Sequence, residues 1–326
     1  MRRREFIALA GGAAMWPIAL HAQQTKPRRL GVLYQGSIRT HPTPNFRAFL
    51  QALSEAGWVE GDNITIEWRF SEGSADALPR LMNELLAFQP EVIVASPTQP
   101  ALVAKQATAT IPIVFTQVAD PIGAGIVTNL ARPEGNVTGM SAQATDASGK
   151  RLALLKEMLP GASRVAVLWN RPSRGAELIL LEYVAMGKAL NLEIKNVGIS
   201  SPSELPGVFE EAIRGGAAAL EIIDDPVIFG YRDQIGSLMA ANRIPCFSIN
   251  SDFAAAGCVL SYGPKLPELY RHAARYVDRI LRGAKPSELP VEQPIIFELV
   301  INVRTAKALG MDIPATLLAR ADEVIE

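Results

Sequence analysis

The chain has 326 residues, 48% of them hydrophobic, with 32 basic against 33 acidic side chains and a formal net charge of −1. That length suits two domains, each with its own core, and a balanced charge without a basic stripe gives no electrostatic reason to expect nucleic acid or an anionic membrane surface as partner. Three histidines and two cysteines are too few for a Cys/His zinc cluster, so no metal or other cofactor is expected.

The first residues, Met1-Arg2-Arg3-Arg4-Glu5, form a basic start, and a short apolar run from Phe6 to Leu20 follows, broken by Gly11-Gly12 and Pro17. Small Ala22 then precedes Gln23-Gln24. This order of charge, apolar run and small residue reads as a cleavable secretory signal over 1–22, too short to stay in a bilayer as a spanning helix. Arg3-Arg4 leaves both the general secretory and the twin-arginine routes open. No cysteine lies near the cleavage point, which argues against a lipid anchor and for a free periplasmic protein. Removing the segment takes away three arginines and one glutamate and leaves 29 basic against 32 acidic residues.

From residue 28 onward, short apolar runs alternate with stretches of helical period. Strands are expected over 29–34, 64–68, 91–95 and 113–116, with helices over 46–56, 78–88 and 100–108. After Gly139 the pattern restarts, with strands over 164–169, 192–197, 217–223 and 245–249 and helices over 150–159, 177–190, 205–215 and 232–242. Nearly all-apolar strands separated by helices imply parallel sheets covered on both faces. The fold class is therefore α/β, with two doubly wound parallel-sheet lobes. Further strands over 259–262 and 294–301 and helices over 266–281 and 303–309 are placed by letting the chain cross between lobes three times. This assigns 28–139 with 252–290 to the first lobe and 140–251 with 291–326 to the second, joined by a three-strand hinge. Cys246 and Cys258 each open a strand, with a crossing between them, and are expected as two buried thiols.

Motifs for chemistry are scarce. Gly149-Lys150-Arg151 lacks the leading glycine and the hydroxyl of a phosphate loop, and Gly123-Ala124-Gly125 lacks the third glycine of a dinucleotide site. There is no Gly-x-Ser-x-Gly elbow, and His41 is expected as a solvated loop residue. Polar residues instead gather at the carboxyl ends of strands, where ligands sit in open α/β sheets. The first strand ends in Tyr34, Gln35 and Ser37, and the third in Ser96, Thr98 and Gln99. Ser96 or Thr98 could cap the following helix or leave its amides for a carboxylate. Asp120 after the fourth strand suits an ammonium group or a turn before proline. In the second half Asn170, Asp224 and Asn250 occupy corresponding positions. Asp224 and Asp225 repel each other, so one is expected to face the cleft and the other solvent. Trp169 and Tyr262 could serve as aromatic walls or as core.

The segment Asp120-Pro121-Ile122-Gly123-Ala124-Gly125-Ile126-Val127-Thr128-Asn129-Leu130, continuing through Arg132-Pro133-Glu134-Gly135-Asn136-Val137-Thr138-Gly139, resembles the signature of the ABC transporter substrate-binding family of the tryptophan/tyrosine-binding type. Glu134 departs from it, a glycine being usual there. Phe297-Glu298-Leu299-Val300-Ile301-Asn302, Thr305 to Gly310 and Ile313-Pro314 resemble the same family's C-terminal pattern. The resemblance implies the type I periplasmic-binding fold, closing on a small solute (an amino acid or an aromatic or carboxylate compound) and presenting it to an ABC permease in the inner membrane. It also implies Ser96 and Thr98 on a ligand carboxylate, Asp120 or Asp224 on its ammonium, and Asn170 and Asn250 closing from the second lobe. No catalysis, no membrane insertion and a monomer are expected. The alternatives are an exported sensor module for a membrane signalling partner and, further off, a cleft hydrolase or isomerase.

Overall fold

The structure is a computed structural model that describes residues 26–37 and 42–326. The expected signal segment over 1–22 and His41 lie outside the described residues.

The chain runs β1 (Arg28–Tyr34), α1 (Pro44–Glu55), β2 (Ile64–Phe70), α2 (Leu78–Ala87), β3 (Val92–Ser96), α3 (Thr98–Ala107), β4 (Ile113–Val118) and β5 (Val137–Ser141). It continues through α4 (Ala144–Met158), β6 (Arg164–Asn170), α5 (Arg174–Ala189), β7 (Glu193–Ile199), α6 (Leu205–Arg214), β8 (Ala219–Ile222), α7 (Pro226–Gly230), α8 (Arg232–Asn242) and β9 (Cys246–Ser248). It ends with α9 (Ser251–Ala255), β10 (Leu260–Pro264), α10 (Leu266–Leu281), β11 (Phe297–Asn302), α11 (Val303–Leu309), α12 (Ala315–Leu318) and β12 (Glu323–Ile325).

Two sheets result, one in the order β2-β1-β3-β4-β5 and one in the order β12-β11-β10-β9-β8-β6-β7. The first is parallel throughout. Alternate side chains of its strands feed opposite cores, as the pleat requires. Leu30, Val32 and Val94 meet Phe46 and Phe49 of α1 and Leu269 and Ala273 of α10, while Leu33, Ile93 and Ala95 meet Leu81 and Leu85 of α2 and Ala101 of α3. In the second sheet β10 and β11 run antiparallel and the other neighbours are parallel. Val165 and Val167 of β6 face α4 and α5, and Ala166 and Leu168 face α6 and α8.

The second crossing differs from the expected one at residue 252. β10 pairs with β9 through Leu260 to Phe247 and with β11 through Leu260 to Ile301, so it belongs to the second sheet. The chain returns to the first sheet with α10, which begins two residues after β10 ends. Residues 252–264 therefore move from the expected first lobe to the second. The other two passages between sheets run side by side: Met140 bridges Glu292, and the Ser141 amide donates to the Glu292 carbonyl at 2.9 Å.

The cysteines need the same correction. Cys246 and Cys258 are joined in a disulfide, with their Cα atoms 4.5 Å apart, inside the range a bridge tolerates. No lobe crossing separates them. Val259 donates to the Cys246 carbonyl at 2.9 Å, as β9 and β10 begin to pair.

Candidate functional site

The carboxyl ends of β1, β3 and β4 face those of β6, β8 and β9 across a cleft between the sheets. Its floor is a cavity of about 40 Å³ bounded by Thr98, Gln117 and Ala119 on one side and by Gly175, Asp224 and Asp225 on the other. A larger cavity, of about 770 Å³, lies between Ser37 and Asp76 of the first lobe and Asn170, Ser201 and Tyr231 of the second. A third cavity of about 200 Å³ lies between Asn45 and Asn250, Asp252, Lys265 and Glu298.

The two lobes touch across this cleft. A β-carbon on Gly73 would lie 2.8 Å from Cγ2 of Val227, and one on Gly175 would lie 2.6 Å from Oγ1 of Thr98. The amide of Gln99 donates to the Pro172 carbonyl at 3.4 Å, a direct bridge between lobes. The lobes thus stand closed on each other.

Asp224 follows β8 and accepts a 2.9 Å hydrogen bond from Asn250 Nδ2 on its Oδ2, while its Oδ1 is enclosed without a hydrogen-bond partner. Burial raises its pKa to about 7 against the Asn250 hydrogen bond, with the charges of Asp225 and Asp252 adding to the rise and Arg232 opposing it. Asp225 is also interior, at 5% exposure, rather than turned to solvent as expected. It caps α7: Oδ1 accepts from the amides of Val227 at 3.0 Å and Ile228 at 2.9 Å, and Oδ2 accepts from Asn170 Nδ2 at 2.6 Å. These hydrogen bonds offset burial of the two acids, and only Asp224 keeps an unused acceptor.

In the first lobe Thr98 is 3% exposed and its Oγ1 accepts from the Ala119 amide at 3.3 Å, leaving the hydroxyl proton to donate. α3 begins after Pro97 with no side-chain cap, so neither Ser96 nor Thr98 takes the capping role. Its first amides, with the positive end of the helix dipole behind them, suit a carboxylate. The Ser96 hydroxyl is engaged with Tyr270 OH at 2.7 Å, and Tyr270 donates to Gln117 Oε1 at 3.0 Å. Gln117 has a left-handed backbone, φ 58°, where the register of β4 shifts against β5 between Phe115 and Val118. Burial holds the Tyr34 phenol in its neutral form, and Tyr270 and the carboxylates Asp224 and Asp225 of the opposite lobe act in the same direction. Its ring packs edge-on against Phe46 at 5.0 Å. Gln35 is 1% exposed and its amide is enclosed with neither Nε2 nor Oε1 hydrogen-bonded.

The structure brings Tyr34, Thr98, Gln99, Asn170, Asp224 and Asn250 to the cleft, with Ser37 on the larger cavity between the lobes, and seats Ser96 behind the floor. It places three others elsewhere. Asp120 Oδ1 accepts from the amides of Ile122 at 3.0 Å and Gly123 at 2.9 Å, fixing its own turn. Tyr262 stacks on Phe297 with ring centres 5.7 Å apart in the β10–β11 ladder. Trp169 donates its Nε1 to Asn196 within the second sheet. Sequence reasoning missed Gln117, Ser173, Gly175 and Tyr270. Gln117 is a polar residue at a strand end and carried the same signal as the others; Tyr270 sits at an ordinary core position of an amphipathic helix and carried none.

Among the described residues no group of three or more His, Cys, Asp or Glu is placed to hold a metal ion, and no helix is long and apolar enough to cross a membrane.

Comparison with known proteins gives a consistent picture. The chain is 27% identical over 265 residues to the tyrosine-binding protein of Clostridioides difficile (strain R20291), covering 81% of this chain and 76% of that protein. It superposes on the crystal structure of an ABC domain in complex with L-Trp from Streptococcus pneumonia with a TM-score of 0.84 at 24% identity, covering 92% of this chain and 100% of that one. On the ligand-free, open structure of a substrate-binding protein with adhesive properties from Clostridium difficile the TM-score is 0.64 at 24% identity, covering 91% and 99%. The fold is that of the type I periplasmic binding proteins. Residues 43–325 match the family described as ABC transporter substrate binding protein, and the chain belongs to that family.

Proposed function

We propose that this protein captures a free amino acid between its lobes and delivers it, without turnover, to an ABC permease of the inner membrane, working as an exported periplasmic monomer. The observation that carries this reading is the pairing of opposites across the closed floor. Asp224 offers an enclosed, unpartnered carboxylate oxygen on one side, and the Thr98 hydroxyl and uncapped start of α3 offer donors on the other. An α-amino acid carries an ammonium and a carboxylate at matching ends. The tyrosine-binding relative and the neighbour holding L-Trp support the same class of solute, and the basic, apolar and small residues of the first 22 positions support export.

The test is mass spectrometry of solute released from the purified, denatured protein, followed by thermal melting with each of the twenty amino acids. A bound amino acid at a hundred times its Kd stabilises by about 2.7 kcal/mol and raises the Tm by several degrees. Steady consumption of the solute, or no shift with any amino acid, would overturn the reading.

A further inference from the structure

The three passages between the lobes run from β5 to α4, from β10 to α10, and from Glu292 to β11. The first and third meet α10 at Glu292. Its backbone joins the edge of the first sheet, where the amide donates to the Gly139 carbonyl at 3.0 Å and the carbonyl accepts from the Ser141 amide at 2.9 Å. Its side chain is held from the other side by α10. His272 Nδ1 lies 2.6 Å from Oε2, and the Tyr276 hydroxyl shares its proton between Oε1 at 2.9 Å and the Pro290 carbonyl at 2.8 Å. A carboxylate oxygen only accepts, so His272 carries a proton on Nδ1 and donates it to Glu292. His272 and Tyr276 are four residues apart on α10, which sets both on the one face that meets the third passage.

Glu292 is also the last residue of that passage fixed to the first lobe. Before it, the Leu289 carbonyl accepts from Thr138 Oγ1 at 2.7 Å and the Val291 amide donates to the Leu130 carbonyl at 2.6 Å. After it, the backbone of residues 293–295 makes no hydrogen bond among the described residues, and Ile295 is 89% exposed. The next fixed point is the Ile296 carbonyl, which accepts from the Lys265 amide of the second passage at 3.1 Å, one residue before β11 begins. The part of the third passage free to turn is thus 293–295, with Glu292 holding its first-lobe end.

We infer that Glu292 is a positioning residue for lobe closure: by tying β5, α10 and the third passage to one point, it confines bending to 293–295 and limits the orientations that the open lobes take. The inference rests on the reading above that the lobes close on a solute, and the identity of the solute does not enter it. Without the clasp, a single bridge at a sheet edge has to hold residue 292, and the turning segment lengthens toward 290. A residue released in the open form has to be ordered again when the lobes close, which weakens binding by about fivefold or more. The clasp itself is partly exposed, so it adds little to the stability of the fold.

Pulsed dipolar spectroscopy of the ligand-free protein tests it, with spin labels on Arg80→Cys of α2 and Glu210→Cys of α6, exposed positions on different lobes. The native cysteines are bridged and take no label. In Glu292→Ala the distribution of interlobe distances should broaden, and in Tyr276→Phe, which keeps the ring in place, it should broaden less. Glu292→Gln should stay near the wild type, since its carbonyl accepts from Tyr276 and its amide donates to the other tautomer of His272. The Tm of ligand-free Glu292→Ala should move by no more than about 3 °C, while the Kd for whichever amino acid gives the largest thermal shift rises by about fivefold or more. A distribution in Glu292→Ala as narrow as that of the wild type overturns the inference, and so does a broader one with unchanged affinity. If Glu292→Ala does not fold, the same two outcomes in Tyr276→Phe decide. If no amino acid binds, the amino-acid reading falls and the distance distributions alone decide the role of Glu292.

Discussion

Gly175 of the second lobe approaches Thr98 of the first so closely that a β-carbon on it would lie 2.6 Å from the threonine Oγ1. That contact exists only while the lobes are closed, because the two residues sit on α5 and α3 of different sheets. Gly175→Val should leave the unliganded fold intact and weaken solute binding roughly tenfold or more, since an overpacked contact costs about 1–3 kcal/mol. Small-angle scattering should show the variant retaining its extended dimensions when solute is added, where the wild type contracts. Equal affinity and equal contraction in both proteins would show that closure tolerates the side chain.

Asp224 gives a pH dependence of defined sign. Its folded pKa lies at about 7 against an ordinary 3.8, so between those values the folded form holds a proton that the unfolded form has released. Stability therefore falls as pH rises through that window, at up to about 1.4 kcal/mol per unit for one such group. Asp225 and Asp252 are raised by burial as well and share in the slope. The difference between wild type and Asp224→Asn isolates one residue, and urea denaturation over a pH series should show a shallower fall in the variant. Binding has the opposite trend. An ammonium group favours ionised Asp224, so affinity should weaken as pH drops below about 7 and the wild type should release a proton on binding. Identical pH profiles in the two proteins would remove Asp224 from both roles.

The Cys246–Cys258 bridge closes a segment with a sequence separation of 12 that contains Asn250, the partner of Asp224. Opening a loop of that size costs about 3 kcal/mol on the loop-entropy scale. Reduction, or the double replacement Cys246→Ala with Cys258→Ala, should lower the denaturation midpoint accordingly and weaken solute binding, because Asn250 loses part of its constraint. Thiol alkylation under native and denaturing conditions checks that the bridge is formed in the starting protein.

Arg151 and Glu221 are both 0% exposed, 3.5 Å apart, and share the Tyr183 hydroxyl: Arg151 Nε donates to it at 2.8 Å and it donates to Glu221 Oε2 at 2.7 Å. Arg151→Met would leave Glu221 charged and unpaired in the core, at a cost of about 3–5 kcal/mol. The double variant Arg151→Met with Glu221→Leu should recover much of that loss. A double-mutant cycle by urea denaturation measures the coupling, and additive effects would mean that the two charges are independent.

The sequence made the course of the chain legible because burial leaves a period. Runs such as Val92 to Ala95 and Val165 to Leu168 are apolar at every position, as strands covered on both faces must be, and the helix over Leu266–Leu281 was read to the residue. Polar residues at strand ends pointed to the cleft without saying which would remain free to bind. Asp120 and Asp224 look alike in sequence, each following a strand with an acid. One commits an oxygen to two amides of its own turn, and the other keeps an enclosed oxygen without a partner.

By itself, then, the sequence determined the α/β alternation, the two-lobe plan and the strand ends that form the cleft, since these follow from local periodicity and chain order. Tertiary contacts alone keep β10 beside β9, bring Cys246 and Cys258 together, and set Asp224 rather than Asp120 opposite Thr98. Those outcomes depend on contacts between segments far apart along the chain, and on which hydrogen bonds each polar group has already used, and neither leaves a pattern in neighbouring residues.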